Sequence, residues 1–331
     1  MGRTSILIIS ALVAGLAVFH NYPAPELSPQ LKEWQDTGKF FKFNGHNIFY
    51  KDEGSKENED VLVIFHGFPT CGRDFHKIWD GLTTQFGRVI MPDFLGYGFS
   101  DKPADHYYSL FDKADMIEAL LATLDVSKIH ILAHDMGSTV AQELIHRQNK
   151  VSNIGSSTNN KLEIISVCLS NGGIIPETIQ QRLMQKILLK PYLGALAPYL
   201  NNRFLFKKGF GEVFGKLTQP TDEEFSNHWA LIRHNDGNRI PHLLINYLRE
   251  RYINRDRWVH ALSDTAIPLH IIFGPSDPVN PKDPFLSTYK KLVPNSGVSE
   301  LEPHISHYPQ LEAPKEYLQA YLQFFKSLKK S

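Results

Sequence analysis

The chain is poor in several features that would each fix a class. Among 331 residues there are two cysteines, Cys71 and Cys168, so there is neither a disulfide framework nor a cysteine metal-ligand spacing. Neither sign of charge is in excess, since 35 Lys and Arg stand against 35 Asp and Glu. Without surplus clustered cations there is no electrostatic basis for non-specific nucleic-acid binding. No repeat of about 20–50 residues and no low-complexity tract occurs, which argues against solenoids and propellers. No Asn-x-Ser/Thr sequon occurs either, against a glycosylated lumenal or secreted domain. What is abundant is apolar material. At 42% hydrophobic residues the chain is too apolar for disorder and long enough for one or two domains with a large core.

Long apolar runs are scarce, and the one at the N-terminus is short. Ser5 to Phe19 is uncharged and almost wholly apolar. As a helix it would reach about 22 Å, against a hydrocarbon core of about 30 Å. Val18-Phe19-His20-Asn21 offers no small-x-small cleavage site. Ile6 stands where an N-myristoylation signal needs Ser or Thr. The expectation is an uncleaved membrane anchor within residues 1–25, with bilayer thinning or snorkelling covering the mismatch. A helix packed on the soluble domain is the alternative, and it would have to be buried all round because the run shows no polar stripe.

After the anchor, strand and helix patterns alternate. Lys39 to Tyr50 reads as a hairpin turning at Asn44-Gly45. Val61–Phe65, Arg88–Met91, Ile129–Leu132, Ile164–Leu169 and Leu269–Phe273 are short, nearly continuous apolar runs of the kind buried on both faces of a parallel sheet. Leu110, Ala114, Ile117, Leu121 and Leu124 share one helical face, and Tyr317, Leu318, Tyr321, Leu322 and Phe325 share another. The fold class is therefore α/β, a mainly parallel sheet with helices on both faces. Between 172 and 262 no strand run occurs, and helix-like stretches are broken by Pro191, Pro198, Pro220 and Pro241. The expected organisation is a core of residues 26–171 and 263–331 with a helical lid, 172–262, over the carboxyl ends of the strands.

Three strand ends carry reactive residues. Ala133-His134-Asp135-Met136-Gly137 has the small-x-nucleophile-x-Gly form of a sharp strand-to-helix turn, with Asp135 where an esterase has Ser. Asp277 follows the Leu269–Phe273 strand within Gly274-Pro275-Ser276-Asp277-Pro278, and His304 and His307 precede the last helix. Each alone has an ordinary explanation as helix cap, turn former or structural histidine. Together, nucleophile, acid and histidine fall in the chain order of an α/β-hydrolase. Val61–Phe65 also ends in His66-Gly67-Phe68-Pro69, so the backbone N–H groups of Phe68 and Met136 are candidates for an oxyanion hole.

With these marks the chain resembles the epoxide hydrolase and haloalkane dehalogenase branch of the α/β-hydrolases. Within it, the chain closely resembles the mesoderm-specific transcript homologue family. The resemblance covers nearly everything after the N-terminal run. It rests on Asp93-Phe94-Leu95-Gly96-Tyr97-Gly98-Phe99-Ser100, Leu169-Ser170-Asn171-Gly172-Gly173-Ile174, Asn235-Asp236-Gly237-Asn238, Gly274-Pro275-Ser276-Asp277-Pro278 and His304-Ile305-Ser306-His307-Tyr308-Pro309-Gln310. It implies a membrane-associated hydrolase of the endoplasmic reticulum, linked to mesoderm development and lipid storage, with no cofactor or metal. It places the nucleophile on Asp135, the histidine on His307 and the acid on Asp277, because Ser170-Asn171-Gly172 offers no carboxylate. Met136 and Phe68 stand where dehalogenases hold halide by side-chain N–H groups, so dehalogenation is not expected. The branch's lid tyrosine is displaced by one place in Asn246-Tyr247-Leu248-Arg249, which leaves Tyr192, Tyr199 and Tyr247 as candidate proton donors.

An ionised Asp needs no base to attack an sp³ carbon, and the resulting ester would be hydrolysed by water that His307 activates. Attack on an ester would give an anhydride, so lipase chemistry is disfavoured. The expected reaction is epoxide hydrolase-like, on a small lipophilic substrate. A lipid- or partner-binding developmental protein that retains the triad without turnover is the second class of function left open.

Overall fold

The computed structural model describes residues 22–54, 60–154 and 162–329, with positions 5, 7, 8, 10, 11 and 15 ahead of them. The expected anchor, Ser5 to Phe19, lies for the most part outside the described residues. Among the described residues no helix is long and apolar enough to cross a membrane.

Eight strands form one sheet in the order β1-β2-β4-β3-β5-β6-β7-β8. The hairpin forms as expected: β1 (Lys39–Phe43) and β2 (His46–Gly54) are antiparallel, and Asn44 and Gly45 take φ of 49° and 85° in the turn. Helix α1 (Pro29–Asp36) precedes them, capped by Ser28. The five central apolar runs become β3 (Val61–Phe65), β4 (Arg88–Pro92), β5 (Lys128–His134), β6 (Glu163–Ser170) and β7 (Leu269–Phe273). β3 pairs in parallel with β4 and β5, β5 with β6, and β6 with β7. β8 (Gly297–Glu300) adds a parallel edge. Its half-exposed Gly-Val-Ser-Glu carries no apolar run, which is why the sequence pattern does not announce it.

Helices cover both faces. On one side β3, β5 and β6 pack against α3 (Leu110–Thr123) and α4 (Met136–Ile154), with Val63, Ile131, Ala133, Ile117 and Val140 fully buried. On the other, Leu62, Ile64, Val89 and Leu132 pack against α2 (Trp79–Gln85) and the C-terminal helix, whose Tyr317, Tyr321 and Phe325 form the stripe expected from its spacing. The alternation along each strand divides its residues between these two cores.

Between β6 and β7 the chain is helical: α5 (Leu183–Leu188), α6 (Pro191–Leu200), α7 (Arg203–Gly211), α8 (Asp222–Arg233), α9 (Tyr247–Ile253) and α10 (Arg255–Ser263). Helix α10 is clamped to α4 through buried Glu143, which accepts from Trp258 Nε1 at 2.9 Å and from Arg257 Nε at 2.7 Å. Burial alone would raise the Glu143 pKa, but the bonds from Arg257, Arg147 and Trp258 hold it below the usual carboxylate range. A charged pair so well bonded fixes one docking geometry for the inserted helices.

Candidate active site

β5 ends at His134, α4 begins at Met136, and Asp135 alone makes the turn between them with φ of 47°. A non-glycine residue in this region is strained by roughly 1–3 kcal/mol, and the surroundings over-determine it. Asp135 N–H donates to Asn171 O at 2.9 Å, and its carbonyl accepts from Ser138 N–H at 3.1 Å. Two glycines make room. A Cβ on Gly172 would sit 2.4 Å from Asp135 Cα, and one on Gly67 would sit 2.6 Å from Asp135 Cβ. The small-x-Asp-x-Gly spacing thus folds into an elbow that presents the carboxylate at the strand end, at the amino end of α4.

The loop after β3 meets that carboxylate. Phe68 N–H donates to Asp135 Oδ2 at 3.0 Å. His66 splints the loop, its Nδ1 bonding Gly67 O at 2.9 Å while its Nε2 accepts Phe94 N–H at 3.0 Å. Met136 opens α4, so its N–H belongs to the first turn, where no intrahelical acceptor exists. The loop therefore brings one backbone donor, Phe68 N–H, to the Asp135 carboxylate, and Met136 N–H stands at the adjoining start of α4.

Asp277 and His307 meet beside it. His307 Nδ1 lies 2.8 Å from Asp277 Oδ2, and both side chains are buried. Asp277 is fully bonded: Oδ2 also accepts from Asn171 Nδ2 at 2.9 Å and Oδ1 from Val279 N–H at 2.7 Å. Burial works against the Asp277 charge, but the His307 charge and these bonds keep its pKa below the ordinary value. Burial likewise works against protonated His307, yet the carboxylates of Asp277 and then Asp135 raise its pKa above the ordinary 6.5. His307 Nε2 makes no hydrogen bond among the described residues. His304, three residues earlier, is exposed at the surface.

Three contributors were not among the expected site residues. His134 sits beside the elbow, its Nε2 bonding His307 O at 2.7 Å, and burial lowers its pKa to about 4, so it is a neutral splint for the His307 backbone. Asn171 ties β6 to Asp277 and, through Oδ1, to Gly274 N–H at 2.8 Å. The third is Arg251, buried on α9. Its Nε donates to Thr139 Oγ1 at 2.8 Å, its Nη2 donates to Asp135 O at 3.0 Å, and Nη2 lies 3.6 Å from Asp135 Oδ1. Gly173 leaves the space that Nη1 occupies, since a Cβ there would approach it to 2.2 Å. The signal that could have found Arg251 is its spacing of four from Tyr247, which places both on one helical face.

The three candidate tyrosines separate. Tyr247 is buried on α9, its ring 5.7 Å from the Phe68 ring and 4.7 Å from the Arg251 guanidinium. Burial, and then the Asp135 charge, push its pKa well up, so the hydroxyl keeps its proton. Tyr192 and Tyr199 are instead exposed on α6. The insert brings one tyrosine to Asp135 and turns the other two to its surface, because α9 packs against the core while α6 packs against α5. Among the described residues no group of three His, Cys, Asp or Glu could hold a metal ion.

The family model described as alpha/beta hydrolase fold matches residues 60–314. The mesoderm-specific transcript homolog protein of Bos taurus is 48% identical over 320 residues, covering 94% of this chain and 92% of that one. A cis-3-alkyl-4-alkyloxetan-2-one decarboxylase of Shewanella oneidensis is 34% identical over 291 residues, covering 84% and 85%. Among solved structures, the haloalkane dehalogenase DbeA from Bradyrhizobium elkani USDA94 superposes with a TM-score of 0.72 at 20% identity, covering 88% of this chain and 98% of that one, a likeness of fold. With the sheet, the elbow and these relatives in agreement, the chain belongs to the α/β-hydrolase family and, within it, to the mesoderm-specific transcript group.

Proposed function

We propose that the chain is a membrane-associated hydrolase that forms and breaks a covalent ester on Asp135. The supporting observation is the Phe68 N–H on Asp135 Oδ2 at 3.0 Å, with the His307–Asp277 pair alongside. An Asp135 oxygen attacks an sp³ carbon of a strained lipophilic ether such as an epoxide, the carbon–oxygen bond breaks, and Tyr247 gives its proton to the leaving oxygen. Phe68 and Met136 N–H groups then hold the Asp135 carbonyl oxygen as it becomes an oxyanion. His307 takes a proton from water, which attacks Cγ of Asp135 and frees the alcohol. Returning that proton to Tyr247 closes the cycle.

In this reading the inserted helices are a lid that keeps water from the ester, and Ser5 to Phe19 anchors the chain at the endoplasmic reticulum membrane. Carbonate extraction tests the anchor: full-length chain should stay in the membrane pellet, and its release would remove that part of the reading. A single turnover in heavy-oxygen water tests the chemistry, using a panel of lipophilic epoxides. Label should enter the Asp135 carboxylate. His307→Gln should accumulate the ester without hydrolysing it. Label found only in product would assign the attack to water and take the nucleophile role from Asp135.

Arg251 favours a second reading of the same site. Opening a four-membered lactone at its alkyl carbon releases a carboxylate, which calls for a neighbouring cation rather than a proton. The Shewanella oneidensis relative is named for an oxetan-2-one. Conversion of cis-3-alkyl-4-alkyloxetan-2-ones faster than epoxides, with Arg251→Met losing the lactone and keeping the epoxide, would select this reading.

A further inference from the structure

The inserted helices carry a surface that is the reverse of an ordinary amphipathic face. On α6, Tyr192, Leu196 and Tyr199 recur at i, i+4 and i+7, so they share one stripe, and they are 87%, 59% and 46% exposed. The inward residues are small: Gly194 and Pro198 are buried, and a Cβ on Gly194 would come within 2.2 Å of Leu188 O at the end of α5. A core-facing helix turns its large apolar residues inward. This one packs by backbone and shows its large residues to the outside. Leu183 on α5 and Phe204 on α7 continue the pattern at 75% and 74% exposure. More than half of the large apolar side chains that the described residues leave exposed fall between 183 and 217.

Charge tells what fits this face. Between Glu177 and Glu212 the sequence holds Arg182, Lys186, Lys190, Arg203, Lys207 and Lys208 but no Asp or Glu, in a chain whose net charge is zero. Arg182 is tied to Glu212 and Lys207 to Asp222. Lys186, Lys190 and Lys208 are exposed and make no ion pair among the described residues. Lys186 lies one turn from Leu183, and Lys208 one turn from Phe204, so the cations rim the same exposed faces as the apolar groups. Large apolar side chains with two tyrosines, rimmed by flexible cations, match the headgroup layer of an anionic bilayer. A second copy of the chain would set these cations against themselves.

We propose that α5, α6 and the start of α7 form an interfacial docking surface that seats on an anionic phospholipid bilayer, with Tyr192, Leu196 and Tyr199 in the headgroup–acyl boundary. This contact is separate from the Ser5 to Phe19 anchor. If the proposed lid roofs Asp135, it puts that roof against the phase in which a lipophilic substrate dissolves.

The experiment uses the full chain, whose own cysteines are buried. A fluorophore is placed at Leu196→Cys, or at Lys315→Cys on the C-terminal helix as control. Vesicles contain phosphatidylcholine with 30% phosphatidylserine and a shallow nitroxide lipid quencher. The expected result is quenching at 196 and none at 315, weakened by high salt and by omitting phosphatidylserine. Lys186→Gln, Lys190→Gln and Lys208→Gln should each lower the quenched fraction, with about a fivefold loss of partitioning per lysine. Chain that floats with vesicles while position 196 stays unquenched would overturn the proposal and leave the N-terminal anchor standing. Chain that does not float at all would overturn both. Disulfide-linked dimers through Leu196→Cys in place of quenching would assign the face to a second copy.

Discussion

The two halves of the site are built by opposite rules. The elbow at Asp135 belongs to the sheet, where each side chain's direction follows from strand alternation and a turn that crowds out anything larger than glycine at 67 and 172. The inserted helices obey no such period. Helix α9 buries a tyrosine and an arginine against the core, whereas α6, some fifty residues earlier, buries glycine and proline and exposes its aromatic residues. Asp135, Asp277 and His307 come from the half with fixed geometry, whereas Tyr247, the proposed proton donor, and Arg251 come from the half whose burial depends on packing partners.

The largest effect should fall on the fixed half. Asp135→Ala should lower turnover of any substrate by on the order of 10⁴-fold or more, read in single-turnover kinetics, because no other carboxylate occupies the elbow. A variant retaining a tenth of the activity would show that the sheet half does not carry the first step.

Asp277→Asn should lower deacylation by about 10²-fold or more and move its ascending pH limb to lower pH. In the proposed base role His307 must be neutral, and the Asp277 charge is the main force raising its pKa above 6.5. The same pair makes stability depend on pH with a definite sign. The His307 contribution is complete below pH 6.5 and is lost as pH rises through its raised folded pKa. The Asp277 contribution is present above 3.8, its ordinary value, and is lost as pH falls through the lowered one. Denaturant melts of wild type and Asp277→Asn across pH should converge at both extremes. Parallel curves would exclude the coupling.

On the insert side, Arg251→Met should destabilise the fold by about 3 kcal/mol, because it strips a buried carboxylate and a backbone carbonyl of their cation. Arg251→Lys should recover part of the stability but not the geometry at Thr139 and Asp135. Chemical denaturation reads both. Equal stability of all three proteins would mean that α9 docks without this contact.

The smallest effects sharpen the contrast within the insert. Tyr247→Phe should slow opening of an epoxide by about 10²-fold, the low end for a lost general acid. Tyr192→Phe should leave the chemical step unchanged. A loss at Tyr192 equal to that at Tyr247 would mean that α6 turns inward during turnover and that the two helices do not differ as described.

Much of the sheet could be read in advance. Val61–Phe65 and its counterparts announce buried strands because nothing else explains a short run apolar on both faces, and the Asn44-Gly45 turn announces its hairpin. β8 could not be read, since an edge strand needs no apolar run once its neighbour supplies the hydrogen bonds. Asp135, Asp277 and His307 were legible through their order along the chain and the crowding signature around the elbow. Asn171 was visible only as the residue that is not the acid, and its work as the clamp on Asp277 depends on β6 and β7 being neighbours. Neither His134, inside the elbow motif, nor Arg251, four residues from Tyr247, could be assigned its work in advance, because the partner of each comes from a distant part of the chain.

The sequence by itself determined the α/β alternation, the position of the insert and the aspartate at the elbow, because these rest on periods and turn sterics that act over a few residues. Only the tertiary structure decided which residues of the inserted helices face Asp135. Arg251 reaches Asp135 across 116 residues of chain, and Tyr247 is sorted from Tyr192 and Tyr199 by what each helix packs against. Side-chain direction on a helix is local, but burial is a property of the neighbour, and the neighbours here are brought together by the fold.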